Sequence, residues 1–239
     1  MEAWVMARAF IGTDIISCGT GPVSNTDNNV TWAAWVLPGG SGSDIISTDT
    51  PPTGGSFRLL FESGNVFHVV VHGAIDLNSG FTLTSNVWAH VAATWEQSGG
   101  QFLYSSYVNG VAGSTVLNVT LPGNLTPLYL GNINGGGNPL LGALADVAIW
   151  KARLSVLELG ALANGARPNT IRSANLVRWY PLGGIQSPEP DLSGNAFNGT
   201  LTGTNPAFGP PIAPFTPQWP QFFPSMMSTP FVLMPQIVT

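Results

Sequence analysis

Apolar and polar residues alternate with a period of two along most of this chain, the signature of strands with two differently packed faces. Val30, Trp32, Ala34 and Val36 alternate with Thr31, Ala33 and Trp35 until Leu37-Pro38-Gly39-Gly40 stops the run. Further strand runs are predicted at 44–47, 57–62, 67–71, 88–95, 102–108, 128–130 and 143–150. Ser63-Gly64-Asn65, Ser98-Gly99-Gly100 and Asn109-Gly110 punctuate them. Asn-Gly between apolar runs predicts a tight hairpin, because both residues tolerate positive φ. Many short strands with such turns indicate a β-sandwich or barrel.

One helix interrupts this rhythm. Ser155-Val156-Leu157-Glu158 has the form of a capping box, Leu154 and Leu159 can staple its entry, and Leu159 and Leu162 continue an inward stripe up to a stop at Gly165. The segment Gly12–Ser17 is echoed by Gly42–Ser47, which reads as two similar edge strands and not as a repeat array.

The pattern changes near Gly209. The first eight residues read as an N-terminal extension, 9–209 as one sandwich domain and 210–239 as a tail. That tail carries many prolines and no charged residue, so it reads as extended, polyproline-like chain. Trp219, Phe222, Phe223, Met226, Met227, Phe231 and Met234 would make it a docking arm, for a protein partner or for self-association.

Composition narrows the picture. A length of 239 residues suits one sandwich, which commonly takes about 200–250. Charged residues are 8% of the chain, against roughly 25% in ordinary soluble domains. The formal charge of −5, with seven Lys and Arg scattered singly, argues against a nucleic-acid partner. No apolar run is long enough for membrane insertion, and no secretory signal is evident at the start, so synthesis in the cytoplasm is the expectation. Cys18 is the single cysteine, which excludes an internal disulfide. Four Asn-x-Thr sequons, at Asn29, Asn118, Asn124 and Asn198, fit chance in so Asn- and Thr-rich a chain.

Several stretches together resemble the laminin-G-like jelly rolls of the concanavalin A-like superfamily. They are Val30–Val36, Trp88-Ala-His-Val-Ala-Ala-Thr-Trp95, Tyr107-Val-Asn-Gly110, Leu130-Gly131, Gly142–Trp150 with the helix after it, Trp179-Tyr-Pro-Leu182, and Asp191-Leu-Ser-Gly-Asn195. The resemblance covers roughly residues 9–205 and implies an all-β jelly-roll sandwich of two antiparallel sheets. It fixes no function, since the family includes lectins, adhesive modules and virion proteins.

Glucanases of the superfamily carry a Glu-x-Asp-x-x-Glu strand, which is absent here; Glu62 and Glu96 stand alone at strand ends, so no enzyme is expected. His68 and His72 share a strand parity that could hold zinc, without a third ligand in view, and His90 reads as structural. No cofactor is required. Calcium is the metal the resemblance implies, with Asp146 and Asp191 as its ligands. Asp146 lacks the second acid of many relatives, since Ala145 stands in its place, and Asp191 reads better as an Asx turn than as a calcium ligand. The strand tryptophans Trp32, Trp35, Trp88, Trp95, Trp150 and Trp179 read as core, while Trp4 and Trp219 lie outside the family region. A sugar could sit on the polar loops represented by Asn25, Asp27 and Asn28 and by Asn132 and Asn134. The preferred expectation is a structural or attachment component of a larger assembly, such as a phage virion protein, with a free carbohydrate-binding lectin as the alternative.

Overall fold

The strand runs pair into two antiparallel sheets packed face to face. The computed structural model describes residues 6–21, 23–24, 26–40, 43–48, 56–120, 122–123, 125, 127–134, 137–184 and 186–210. The docking residues proposed for the tail, from Trp219 to Met234, lie outside the described residues, as does Asn25.

In chain order the strands are β1 (Met6–Phe10), β2 (Ile15–Ser17), β3 (Asn29–Pro38), β4 (Ser43–Ser47), β5 (Phe57–Phe61), β6 (Val66–Val71), β7 (Ile75–Thr82) and β8 (Ala89–Ser98). They continue with β9 (Gln101–Val108), β10 (Val111–Asn118), β11 (Tyr129–Leu130), β12 (Gly142–Trp150), β13 (Leu176–Tyr180), β14 (Thr200–Thr202) and β15 (Asn205–Phe208). The first sheet has the order β10-β9-β8-β3-β12-β1-β15, with β13 also paired to β12. The second has the order β14-β2-β11-β4-β5-β6-β7. Strand β1 starts at Met6, inside the stretch read as an extension, and places Met6 opposite Phe208 of β15.

The core between the sheets is aromatic. Trp32 packs 5.0 Å from Phe57 and 6.4 Å from Trp95, and Trp95 lies 6.1 Å from Tyr104, all ring centroids in the offset range that favours aromatic pairs. Trp32, Trp95 and Trp150 are fully buried, as the strand pattern predicts. Strand β3 reads as apolar on both faces because both are covered. Val30, Trp32, Ala34 and Val36 face the inter-sheet core, and Ala33 faces a second cluster with Trp150, Leu159 and Leu162.

That second cluster lies beneath the helix α1 (Val156–Ala163). Its capping box forms as predicted: Ser155 Oγ accepts from the Glu158 amide and the Ser155 amide donates to the Glu158 carboxylate. At the other end the Gly165 amide donates to the Leu162 carbonyl and the Ala166 amide to Ala161, a Schellman closure with Gly165 at φ +92. The Asn109-Gly110 turn joins β9 to β10 with both residues at positive φ. A Cβ on Gly110 would meet the Gly160 backbone at 2.7 Å, so this hairpin tip packs directly against the helix.

The echoed segments become β2 and β4. They lie on either side of β11 in matching register, with Ser17 and Ser47 both opposite Tyr129, and Ile16 and Ile46 both opposite Leu130. Both are interior strands, which corrects the expectation of edges: each pairs on its far side too, with β14 or β5.

Candidate functional site

Strand β3 begins at Asn29 and lies opposite Glu96 near the end of β8. Nearby, the chain leaves β12 at Trp150 and runs through residues 151–155 to the helix. Between these segments lies an open cleft of about 510 Å³ whose walls include Asn29, Glu96, Lys151, Arg153, Arg172 and Asn175.

Each wall is held by a specific bond. Thr31 is fully buried on β3; its hydroxyl donates to the Ala152 carbonyl at 2.7 Å and accepts from the Leu154 amide at 2.9 Å. Ala152 and Leu154 line the cleft, so Thr31 fixes its floor to the sheet. Thr31→Val keeps the shape and leaves both backbone groups unpaired. A loss of about 2–3 kcal/mol is expected, readable by urea denaturation. Trp150 Nε1 donates to the Ile171 carbonyl at 2.8 Å and so brings in the following 3-10 turn, Ser173–Asn175. Asn175 and Lys151 then exchange bonds: the Lys151 amide donates to the Asn175 carbonyl and Asn175 Nδ2 to the Lys151 carbonyl.

The charges are paired across this architecture. Arg153 binds Glu96 at 2.8 Å, Lys151 binds Asp27 at 3.2 Å, and Arg172 grips Glu158 through Nε at 2.6 Å and a terminal nitrogen at 3.0 Å. The Arg172 hydrogen bonds hold the Glu158 carboxyl down to about 2. The stabilisation from that depressed group is full above the ordinary carboxylate range and is lost only as pH falls towards 2. Arg153 Nε is buried in the wall and has no hydrogen-bond partner among the described residues. Three of the seven Lys and Arg therefore meet at one cleft. The reading of scattered cations is corrected by the fold, although a local signal was present: Lys151, Arg153, Arg167, Arg172 and Arg178 all fall between 151 and 178.

The two loops read as sugar candidates have different fates. Asp27 meets the cleft through its ion pair with Lys151, and Asn28 directly precedes the lining residue Asn29. The Asp27 carboxylate accepts from the Ser24 amide at 2.7 Å, its carbonyl accepts from Trp95 Nε1 at 2.9 Å, and Asn28 Nδ2 donates to Gln97 at 2.8 Å. The loop is thus anchored both to the core and to β8. Asn132 belongs to the second sheet's surroundings. It is buried, and its Oδ1 accepts from the Ile133 and Asn138 amides, while Asn138 binds Asp44. Asn134 is exposed on the turn that Asn132 organises. The described parts of the two loops lie beside different sheets.

Asp146 and Asp191 both bind Trp179. The indole Nε1 donates to Asp146 at 3.0 Å and the Trp179 amide to Asp191 at 2.9 Å. Asp146 occupies a β-bulge in β12 with φ +45, where the register against β3 shifts. Its other oxygen takes Arg167 at 2.7 Å. Burial raises its pKa, opposed by Arg167 and by Trp179. Asp191 accepts three backbone amides, from Trp179, Ser193 and Phe197. These residues do not fit calcium, which takes six to eight oxygens, because a guanidinium, an indole and three amides already hold the carboxylate oxygens. Asp191 is the Asx-type cap of its turn.

His90, read as structural, packs edge-on against Trp35 at 5.4 Å, and burial lowers it to about 3, so it stays neutral in ordinary conditions. It borders, with Asp146 and Trp150, a pit of about 10 Å³, the size of one water. Glu96 lies in the first sheet and Glu62 follows β5 of the second.

A family model described as the concanavalin A-like lectin/glucanases superfamily matches residues 12–160. Among solved structures, the fold is similar to a Bacteroides ovatus protein provisionally named carbohydrate-binding, with a TM-score of 0.68 and 22% identity over 87% of this chain. The chain spans 60% of the length of that protein. It is also similar to the heptameric SAP-like pentraxin of Limulus polyphemus, with a TM-score of 0.53 and 20% identity over 68% of this chain and 84% of the pentraxin. At these identities the likeness is one of fold. No curated protein matches the chain.

Proposed function

The chain belongs to the concanavalin A-like lectin/glucanases superfamily, and from that premise we propose that it binds carbohydrate without catalysis, in the cleft between Asn29 and Arg172. The observation that carries this reading is the cleft's lining. Amide, guanidinium, ammonium and carboxylate groups converge there on an open space large enough for a saccharide unit. A hydroxyl-rich ligand needs both donors and acceptors, and Asn29 with Asn175 supply both. The ion pairs and the Thr31 anchor hold the side chains before ligand arrives, which limits the ordering cost of binding. The likeness in fold to a Bacteroides ovatus protein named for carbohydrate binding supports the same reading.

The alternative of a phage virion or attachment component rests on the tail residues Trp219 to Met234, which lie outside the described residues, and neither comparison speaks for it.

The test is a panel of neutral and acidic oligosaccharides probed with the full chain and with the double variant Asn29→Ala, Arg153→Ala. The best-bound glycan is then titrated by calorimetry. Losing two hydrogen-bonding side chains is expected to weaken binding about 10- to 30-fold, at about 1 kcal/mol each, while the melting temperature changes little. Binding unaffected by the double variant, or no glycan bound by the full chain, overturns the proposal.

A further inference from the structure

The outer face of the second sheet carries a cluster that no strand shows by itself. Along β6, Phe67, Val69 and Val71 point into the core, so His68 points the other way. His68 lies opposite Leu60 of β5 and Asn78 of β7. Asp76 stands opposite Val70, and the Glu62 amide extends the β5–β6 ladder by donating to Val66. The two carboxylates therefore flank His68 on diagonals from opposite neighbours. One donor atom from each of Glu62, His68 and Asp76 lies within 4.8 Å of the others.

The two imidazole nitrogens meet different geometries. Nδ1 lies 2.6 Å from Asp76 Oδ1, a short hydrogen bond. An ionised carboxylate only accepts, so in the neutral imidazole this bond puts the proton on Nδ1 and leaves the lone pair on Nε2. Nε2 lies 3.9 Å from Glu62 Oε2, too far for a hydrogen bond. Two ligands sharing one ion tetrahedrally at about 2.0–2.2 Å would stand about 3.3–3.6 Å apart, so a shift of a few tenths of an ångström by the exposed Glu62 side chain closes the span. The imidazole is nearly buried, which fixes its orientation, while the Glu62 and Asp76 side chains are 51% and 61% exposed and remain open to solvent. Arg58, from the same face, is turned to Asp44 by bonds of 2.7 and 2.6 Å.

We propose that Glu62 and His68 bind a divalent transition-metal ion, with Asp76 as the carboxylate that orients the imidazole. An imidazole ligand favours zinc, copper or nickel over calcium or magnesium. The aspartate–histidine bond is the usual support of a metal-binding imidazole. The remaining coordination positions face solvent and take water or an external ligand. This replaces the pairing of His68 with His72, since His72 sits exposed in the turn after β6.

The experiment titrates zinc chloride into the metal-free full chain, carrying no histidine tag, by calorimetry and by thermal melting, with calcium chloride as control. One zinc per chain and a zinc-dependent rise in melting temperature are expected, because an ion that binds the native state stabilises it. His68→Gln should abolish both effects, Glu62→Gln should weaken binding at least 10-fold, and Asp76→Asn should weaken it about 10- to 100-fold. No zinc-dependent shift, an equal shift with calcium, or a shift retained in His68→Gln overturns the proposal. If His68→Gln fails to fold, the exposed Glu62→Gln variant decides alone: unchanged affinity overturns it.

Discussion

Arg8→Met should lower the unfolding free energy by about 3–5 kcal/mol at neutral pH, the cost of stranding one partner of a buried ion pair. Arg8 lies on β1 and is almost completely buried, as is Glu189. Its Nε donates to the Glu189 carboxylate at 3.0 Å, one terminal nitrogen reaches Thr204 at 3.4 Å, and the other reaches the Gln186 carbonyl. Glu189 also accepts from the Leu182 amide at 2.9 Å. The methionine fills most of the volume and satisfies none of these groups. The pH dependence tests the cause. Burial raises the Glu189 carboxyl above its ordinary value, and Arg8 opposes that rise. Without Arg8 the folded carboxyl rises further. Between the ordinary carboxylate range and that higher value, the folded state holds a proton the unfolded chain has lost, so stability falls as pH rises. The variant's deficit should therefore be small in mild acid and grow towards neutrality. Urea denaturation at several pH values checks this. A deficit that does not vary with pH would point to lost packing instead. Arg8→Met combined with Glu189→Gln should recover part of the loss.

Arg178→Met is the second large effect. Arg178 is buried on β13 and, among the described residues, its hydrogen-bond partners include no carboxylate. Its guanidinium donates to the carbonyls of Cys18, Thr20 and Phe197 and to the Tyr180 hydroxyl, and stacks 3.9 Å from the Phe197 ring. It thereby joins the strand to two distant loops. Orphaned groups cost about 1–3 kcal/mol each, so a total near 4 kcal/mol is expected after local relaxation. Cys18 offers a separate readout. Burial pushes its thiol up to about 12, so the native protein should react slowly with a thiol reagent. The variant should react much faster at denaturant concentrations where both proteins remain folded, because the segment around Cys18 has lost its anchor.

Elements whose signal is local are legible in the sequence. The β3 alternation, the Asn109-Gly110 turn and the Ser155–Glu158 box each contain their own explanation within a few residues. Strands β7 and β10 do not. Ile75 and Leu77 are the inward apolar residues of β7 before Ser79 and Gly80 follow. Strand β10 is an edge with half its residues open to solvent, and it contains Gly113, where a Cβ would meet the Ser79 carbonyl at 2.5 Å. That glycine weakens the strand pattern and is required by the neighbouring strand. Asp146 stood out as a family-like acid, yet its partners Arg167 and Trp179 lie beyond the bulge and the helix, where no spacing rule reaches. The cleft was the least legible part. Its lining comes from the start of one strand, the end of another and two connections, and only the pairing of Asn29 with Glu96 and of Lys151 with Asn175 brings them together. The Glu62–His68–Asp76 cluster is similar: sequence parity pointed to His72, and the register of β5, β6 and β7 selected the carboxylates.

The pairing of Met6 with Phe208 makes completion of the sandwich depend on the order of synthesis. The meander from β5 to β7 and the hairpins from β8 to β10 can form soon after they emerge. Strand β1 is made first, yet both its partners, β12 and β15, come late. Contacts of such long range are slow to close. Until then β1 is an unsatisfied strand that the β12 or β15 edge of a neighbouring nascent chain could capture, and β2, whose partners β11 and β14 also come late, shares that exposure.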